Sequence, residues 1–465
     1  MARVVIIGGG PGGYEAASAA AQLGAEVTIV DSDGIGGSAV LTDCVPSKTL
    51  IATAEVMTQV EEAGELGVRV AGDGTADTSD PANSVRVDLS VVNNRVKRLA
   101  LAQSDGITRR LDAEKVRLIH GRGRLDGPET VVVDGTEERL DADVVLIATG
   151  ARPRILTGSE PDGERILTWE QLYELQELPE RLIVVGSGVT GAEFASAYDA
   201  LGSDVVLVSS RDRVLPGEDA DAAAVLEEVF TRRGMTVLGK SRAESVKRHG
   251  DGVVVTLTDG RTVEGSHALL AVGSLPNTEK MGLVESGVSL RDGGFVKVDR
   301  VSRTTARGVY AAGDCTGILM LASVAAMQGR IAMSHALGDA VQPLDLSTVS
   351  SNVFTAPEIA TVGVTQAALD AGTSTAVVAK VPLADNARAK MQGVRDGFVK
   401  LFCLPSTGIV VGGVVVAPRA SELIHPISLA VGARLTVDQV AHAFTVYPSV
   451  SGSVAEAARR LHLRS

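Results

Sequence analysis

The chain contains the same glycine pattern, Gly-x-Gly-x-x-Gly, at two places that lie far apart in the sequence. The first begins at Gly8 and the second at Gly186, and each stands between a short apolar run and an alanine-containing segment. This order predicts a strand, a tight turn and a helix whose N-terminal N–H groups and positive dipole end bind phosphate. Two such units predict two dinucleotide sites, and they restrict the fold to α/β domains built on parallel sheets.

The first loop lies in residues 3–31, where a predicted strand at 4–7 runs into the glycines and a second apolar run ends at Asp31. Asp31 stands about 20 residues beyond the loop, where a carboxylate accepts hydrogen bonds from ribose hydroxyls. The complete strand–helix–strand order favours a nucleotide site over a glycine turn of purely steric origin. The residues predicted to surround this nucleotide are Gly8, Gly10, Pro11, Gly12, Gly13 and Asp31.

The second loop lies in residues 181–211, and its second strand, 205–208, ends in hydroxyl and basic side chains in place of an acid. An acid would hold a 2′-hydroxyl and repel a 2′-phosphate, whereas arginine pairs bidentately with phosphate. The pattern therefore favours NADPH, with NADH also accepted; the alternative is that Arg211 is only a solvated charge. The residues predicted to bind this nucleotide are Gly186, Gly188, Val189, Thr190, Gly191, Ser209, Ser210 and Arg211.

Bulk composition excludes several classes of protein. A chain of 465 residues is too long for one hydrophobic core and should divide into about three domains. The net charge of −13 argues against non-specific nucleic-acid binding. No apolar stretch reaches the roughly 18 residues of a membrane span, and three cysteines fit a reducing compartment. We therefore expect a cytoplasmic protein with no integral membrane segment, no nucleic-acid partner and no metal site.

Residues 34–48, GIGGSAVLTDCVPSK, resemble the redox-active segment of the flavoprotein disulfide reductases, the family of lipoamide dehydrogenase, glutathione reductase and mercuric reductase. Further segments resemble the family's motifs in the same order, so that the resemblance covers essentially the whole chain. These segments are Ala148-Thr149-Gly150, Gly191-x-Glu193, Ala271-x-Gly273-x-x-Pro276-Asn277, Tyr310-Ala-Ala-Gly313-Asp314 and 354–363.

The resemblance implies an α/β chain with two Rossmann-like domains, one for FAD and one for NAD(P), plus a C-terminal α+β dimerisation domain. The implied FAD domain is 1–150 with 273–345, the NAD(P) domain is 151–272, and the interface domain is 346–465. It also implies a homodimer, with a tetramer left open. A polar stretch at 71–84 is predicted to be an exposed loop. The further residues assigned to FAD are Gly37, Ser38, Cys44, Lys48, Gly123, Ala148, Thr149, Gly150, Gly313, Asp314, Leu321 and Ala322, and those assigned to NAD(P) are Glu193 and Gly273.

Family members that reduce disulfides carry two cysteines in C-x-x-x-x-C, of which the outer thiol attacks the substrate. Here the outer position is Ala39, and the inner one is Cys44. An alanine cannot form the mixed disulfide that thiol–disulfide exchange requires. Neither Cys315 nor Cys403 stands at a position that resembles a redox partner.

The family's acid–base pair is also absent. Where disulfide reductases carry H-P-T-x-S-E, this chain has Tyr447 in place of the histidine and Gly452 in place of the glutamate. A phenol with an ordinary pKa of about 10 does not take a thiol proton at neutral pH. His442 precedes this segment on a predicted helix, and we interpret it as structural. Both losses affect the same half-reaction and exclude disulfide reduction.

The residues that receive electrons are retained. Lys48 corresponds to the family's lysine near the flavin, and Glu193 corresponds to the glutamate that pairs with it. The acceptor must then meet the flavin directly, and a flat quinone fits. Tyr447, from the partner subunit, would be a wall or proton donor on the acceptor side. In this pattern the chain is similar to the actinobacterial NAD(P)H:quinone reductases of the family.

Two alternatives remain. One is a single-cysteine oxidase or peroxidase centred on Cys44, which we otherwise interpret as a remnant or as a thiol in contact with the flavin. The other is a flavin-binding, redox-sensing dimer without turnover. The sequence also leaves open whether the protein visits the membrane surface to reach lipid quinones.

Overall fold

The computed structural model describes residues 1–68 and 85–462, so the predicted loop at 71–84 lies outside the described residues. Its helices, in chain order, are α1 (Pro11–Gln22), α2 (Gly37–Leu41), α3 (Cys44–Glu62), α4 (Leu89–Ala113), α5 (Val189–Leu201), α6 (Ala220–Arg232), α7 (Ala322–Ala336), α8 (Gln366–Asp370), α9 (Ala387–Met391), α10 (Ala420–Leu423), α11 (His425–Gly432), α12 (Val437–His442) and α13 (Gly452–His462).

The strands are β1 (Arg3–Ile7), β2 (Glu26–Asp31), β3 (Arg117–His120), β4 (Gly123–Leu125), β5 (Thr130–Val133), β6 (Glu138–Asp141), β7 (Val144–Ile147), β8 (Ala151–Pro153), β9 (Ile166–Leu167), β10 (Arg181–Val185), β11 (Asp204–Val208), β12 (Thr236–Leu238), β13 (Ala243–His249), β14 (Gly252–Leu257), β15 (Thr262–Gly265), β16 (His267–Leu270), β17 (Ser274–Pro276), β18 (Val309–Ala311), β19 (Ser350–Val353), β20 (Glu358–Gly363), β21 (Val377–Pro382), β22 (Phe398–Cys403) and β23 (Val410–Ala417).

The chain forms two compact units, of which the first comprises 1–49, 93–154 and 273–345. Its main sheet has the order β18-β7-β1-β2-β3, and all neighbouring strands are parallel. Val4 and Ile6 of β1 belong to one buried cluster with α1, whereas Val5 and Ile7 belong to a second cluster on the opposite face. A strand buried on both faces must be apolar throughout, which explains the continuous apolar run.

The second unit comprises 50–92, 155–272 and 346–465. It contains another parallel sheet, of order β12-β11-β10-β16-β9, in which α5 connects β10 to β11. An antiparallel sheet of order β13-β14-β15 contributes Val246, Val253 and Val255 to the core on one side of this parallel sheet. The glycine loop at 186–191 therefore connects the central strand to the helix that follows it.

The same unit contains an antiparallel sheet of order β19-β20-β23-β22-β21. Helices α11 and α13 bury Ile427, Ala457 and Leu461 against it. An α/β class with two Rossmann-like parallel sheets and a C-terminal α+β portion is confirmed. The three predicted domain boundaries stay a prediction.

Candidate functional site

The outer glycines of the first loop are required by close backbone contacts. A Cβ on Gly8 would lie 2.3 Å from the carbonyl oxygen of Ala148, and a Cβ on Gly13 would lie 1.9 Å from that of Gly8. A Cβ on Gly10 would meet only the Cα of Gly37, at 3.9 Å. Gly10 is the N-cap of α1, and no side chain caps this helix. The loop therefore leaves an open surface at a helix N-terminus, which fits a pyrophosphate.

The second loop repeats this geometry. A Cβ on Gly186 would lie 2.1 Å from the carbonyl oxygen of Ala271, and a Cβ on Gly191 would lie 1.8 Å from that of Gly186. A Cβ on Gly188 would meet no atom within 4 Å. Gly188 is the N-cap of α5, and no side chain caps that helix. The geometry thus fits a second pyrophosphate, bound at the start of α5.

Asp31 ends β2 beside the first loop. Its carboxylate accepts backbone N–H bonds from Gly9 at 2.6 Å, from Asp33 at 2.9 Å and from Gly34 at 2.5 Å. These donors fix the carboxylate at the carboxyl end of the strand. A carboxylate has about four acceptor positions, so it retains capacity for a ribose hydroxyl.

The segment that resembles the redox-active region lies against the first loop. The N–H of Gly36 donates to the carbonyl of Gly9 at 2.8 Å, and Ser104 on α4 donates to the carbonyl of Ile35 at 2.5 Å. Ser38 and Ala39 lie on α2 directly after this segment, and Cys44 begins α3.

Of the chain's three thiols, only that of Cys44 is in a partly exposed residue. Cys315 is fully buried, its Sγ donates to the carbonyls of Ile147 and Ala312, and burial raises its pKa to about 12. Cys403 is buried in β22, and burial raises its pKa as well. Buried, protonated thiols are poor nucleophiles, so neither supplies a second reactive thiol.

The end of β18 carries the predicted ribityl-binding aspartate. Burial raises the pKa of Asp314 to about 6, with a further contribution from the charge of Asp43. The N–H of Gly313 donates to Oε1 of Gln328 at 2.8 Å, while Nε2 of Gln328 is buried without a hydrogen-bond partner in the described residues. A half-buried carboxyl and an unsatisfied buried amide fit a bound polar chain such as that of FAD. Gln328 lies outside the motifs that predicted the FAD site.

Two predicted motifs of the first unit are brought together by reciprocal hydrogen bonds. The hydroxyl of Thr149 donates to the carbonyl of Asn277 at 2.7 Å, and the amide of Asn277 donates to the carbonyl of Thr149 at 3.0 Å.

The other residues predicted for FAD lie at the starts of elements. Leu321 is the N-cap of α7, Ala322 is the first residue of that helix, and Gly123 begins β4.

The residues after β11 differ in their exposure. Ser209 is fully buried; its Oγ lies 2.7 Å from that of Ser187 and accepts the N–H of Arg211 at 3.1 Å. Ser210 and Arg211 are exposed. The hydroxyl of Ser209 therefore stabilises the turn, and the exposed Arg211 follows it.

Glu193 lies on α5 and is only 3% exposed. Its carboxylate accepts the N–H of Phe354 at 2.9 Å, and Ser196, one turn later, accepts the N–H of Ala356 at 3.1 Å. The helix thus holds the segment that leads into β20, a role that the sequence analysis missed. Gly273, also predicted for NAD(P), has a left-handed φ of 99°.

Tyr447 lies on a surface loop with 86% of its area exposed, and Phe444 and Val446 are also exposed. Tyr447 and Gly452 both line a pocket of about 370 Å³. A Cβ on Gly452 would meet only the Oγ of Ser449, at 3.6 Å, so the site of the absent acid is spacious.

His442 ends α12, and its ring Nδ1 lies 2.7 Å from the carbonyl oxygen of Asp438 on the same helix. This contact is local to the helix and agrees with a structural role for His442.

The sequence profile described as pyridine nucleotide-disulphide oxidoreductase matches residues 2–329, and that of the same family's dimerisation domain matches 349–458. The chain belongs to the pyridine nucleotide-disulphide oxidoreductase family. As a member of this family it is an FAD- and NAD(P)H-dependent oxidoreductase, and its dimerisation domain indicates self-association.

Two relatives within the family carry different names. The NAD(P)H dehydrogenase (quinone) of Mycobacterium tuberculosis is 56% identical, over 99% of this chain and 94% of that protein. The dihydrolipoyl dehydrogenase of Chlorobaculum parvum is 33% identical, over 98% of this chain and 96% of its own length.

The crystal structure of LpdA from Mycobacterium tuberculosis has a TM-score of 0.92 at 55% identity and covers 99% of this chain and 100% of LpdA. The flavoprotein disulfide reductase RclA from Escherichia coli has a TM-score of 0.86 at 22% identity, with 98% and 99% coverage, and shows the shared fold. Among the residues of this chain that the structure describes, no helix is long and apolar enough to cross a membrane.

Proposed function

We propose that the chain is an NAD(P)H:quinone oxidoreductase that does not act on disulfides. The bound groups would supply hydride transfer from the nicotinamide to the flavin and onward to the acceptor. The observation that carries the proposal is the single accessible thiol: Ala39 replaces the outer cysteine, and Cys315 and Cys403 are buried. The 56% identical relative named NAD(P)H dehydrogenase (quinone) supports it.

The two glycine loops would hold the two pyrophosphates, each at an uncapped helix N-terminus. For FAD, we propose that Asp31 accepts ribose hydroxyls and that Asp314 binds the ribityl chain. Burial and the nearby charge of Asp43 raise the pKa of Asp314, and hydroxyl donors would stabilise its ionised form.

Lys48 lies in the first turns of α3, four residues after Cys44. We propose that its ammonium group supplies positive charge beside the flavin, where it favours acceptance of hydride. Glu193 keeps its proposed place in the catalytic site. Its burial on α5 gives it a fixed position, because its carboxylate is anchored by the N–H of Phe354.

Tyr447 is proposed to form one wall of the acceptor site in the partner subunit of a homodimer. Its exposed aromatic ring offers a flat face to a quinone, and its hydroxyl is a proton donor. A tetramer, a cytoplasmic location and visits to the membrane surface remain predictions.

Steady-state oxidation of NADPH and NADH with benzoquinones and naphthoquinones tests this function. We expect turnover well above the rate with oxygen alone, and none with lipoamide or glutathione disulfide. Quinone rates no higher than the oxygen background would reject the proposal.

The Cys44→Ser variant separates this function from a single-thiol oxidase or peroxidase. A peroxidatic cysteine would make this substitution abolish activity, whereas direct flavin-to-quinone transfer leaves most quinone turnover. A flavin that is not bleached by anaerobic NADPH would instead identify a binding or sensing protein without turnover.

A further inference from the structure

The turns that follow β11 and β12 are joined backbone to backbone. The N–H of Lys240 donates to the carbonyl of Arg211 at 2.6 Å, and the N–H of Ser241 donates to the carbonyl of Ser209 at 2.7 Å. These bonds place the backbone of Lys240 directly beside that of Arg211, although 28 residues, 212 to 239, separate them in the sequence. Both side chains are exposed at the carboxyl edge of the second parallel sheet.

Lys240 adopts a left-handed φ of 53°, a conformation that strains an L residue and suits glycine or asparagine better. Strained backbone conformations are concentrated at functional sites. Within residues 1–68 and 85–462, the acidic side chains form no ion pair with either Lys240 or Arg211. Two adjacent positive charges are thus available to an anion.

The groups around Arg211 explain why this arginine alone does not make a phosphate site. The hydroxyl of Ser209 is engaged by Ser187 and by the turn, so it is not directed to a ligand. Asp212 is exposed next to Arg211, and its charge opposes a phosphate. Lys240 adds a second positive charge, so that the net charge beside Arg211 and Asp212 is positive. In this fold the adenosine ribose of a nucleotide bound at the second loop lies at this place.

We infer that Lys240 and Arg211 together form the 2′-phosphate site that makes the enzyme select NADPH over NADH. The guanidinium offers paired donors to two phosphate oxygens, and the ammonium group acts as a point charge on the opposite side. Ser209 contributes by holding the turn. This inference rests on the proposed NAD(P)H-dependent function and names the residues that select its donor.

Equilibrium binding of NADP⁺, NAD⁺ and 2′,5′-ADP to the FAD-loaded protein tests the inference by calorimetry. We expect Lys240→Asn and Arg211→Ala each to weaken NADP⁺ and 2′,5′-ADP about tenfold, while NAD⁺ affinity changes less than about twofold. The preference for NADP⁺ should also fall as salt is raised. Because asparagine tolerates the left-handed conformation, Lys240→Asn should not lower the thermal midpoint.

Lys115→Asn is the matched control, since Lys115 is also exposed and has a φ of 61°. It should leave the ratio of NADP⁺ to NAD⁺ affinity unchanged. Unchanged NADP⁺ affinity in Lys240→Asn, or equal losses for both nucleotides, would overturn the inference. Binding is measured without an acceptor, so a failure of quinone turnover would reject the proposed reaction and leave this result standing.

Discussion

The Nζ atom of Lys400 lies 2.9 and 2.8 Å from the two carboxylate oxygens of Asp219, and both side chains are only 3% exposed. Asp219 also caps α6 by accepting the N–H groups of Asp221 and Ala222. Lys400 lies on β22 of the antiparallel sheet. One buried ion pair thus joins the part of the second unit that contains the second glycine loop to the C-terminal sheet of the same unit.

Replacing Lys400 by Met should destabilise the protein by about 3–5 kcal/mol, because it leaves the carboxylate of Asp219 buried without its cation. Urea unfolding followed by circular dichroism measures this loss. Lys380→Met is the control: Lys380 pairs with Asp221, but both side chains are nearly half exposed, so its loss should cost less than about 1 kcal/mol. Similar losses of unfolding free energy in the two variants would contradict the larger contribution expected from the buried pair.

Substitutions at two glycines of the second loop should have different effects, one on folding and the other on nucleotide binding. Gly191→Ala should prevent correct folding, because its Cβ would lie 1.8 Å from a backbone oxygen. Gly188→Ala has open space and should fold with an unchanged circular dichroism spectrum, yet its methyl group would occupy the surface proposed for the pyrophosphate. We expect its nicotinamide nucleotide affinity to fall at least about tenfold in calorimetry. Normal affinity in Gly188→Ala would place the pyrophosphate elsewhere.

The sheets and the two loops could be predicted because short sequence segments determine them. The apolar runs in β1 and β10 are continuous since both faces of each strand are buried. The glycines at 8 and 186 follow from steric contacts with the neighbouring strand ends at Ala148 and Ala271. The absences at Ala39 and Gly452 could be recognised for the same reason, since each lies within a short motif.

The remaining features depend on contacts between residues distant in the sequence, which no local pattern reveals. The pair Lys400–Asp219 forms only when β22 packs beside the start of α6, and Lys240 lies near Arg211 only because β12 pairs with β11. The sequence predicts that the hydroxyl of Ser209 binds the nicotinamide nucleotide, but in the fold this hydroxyl lies against that of Ser187. Gln328 is a polar residue in the buried face of α7, and such a residue is a sequence signal for a buried polar site.

The absent redox machinery can be restored in part to test its role. Ala39→Cys alone should add a second thiol near Cys44, detectable by thiol titration, without giving lipoamide turnover, because the acid–base pair is still missing. Adding Tyr447→His and Gly452→Glu should raise lipoamide turnover above that of the wild type, since a side chain at 452 meets only ordinary contacts. Lipoamide turnover in Ala39→Cys alone would show that the base is dispensable.

Asp199 near the end of α5 makes stability depend on pH. Burial raises its pKa from 3.8 to about 7; Arg233 opposes this rise, while Glu61 and Asp204 add to it. Between about pH 4 and pH 7 the folded chain keeps a proton that the unfolded chain has lost, so stability falls as the pH rises through this range. Asp199→Asn removes the titration and should be more stable than the wild type by about 1–2 kcal/mol at pH 8, a value reduced for the partial exposure of the carboxyl. The advantage should shrink steadily toward pH 5 in urea unfolding. Asp126→Asn is the control, because it changes an exposed carboxylate that pairs with Arg139 and does not act on Asp199. It should lack this trend, and a pH-independent advantage of Asp199→Asn would refute the assignment.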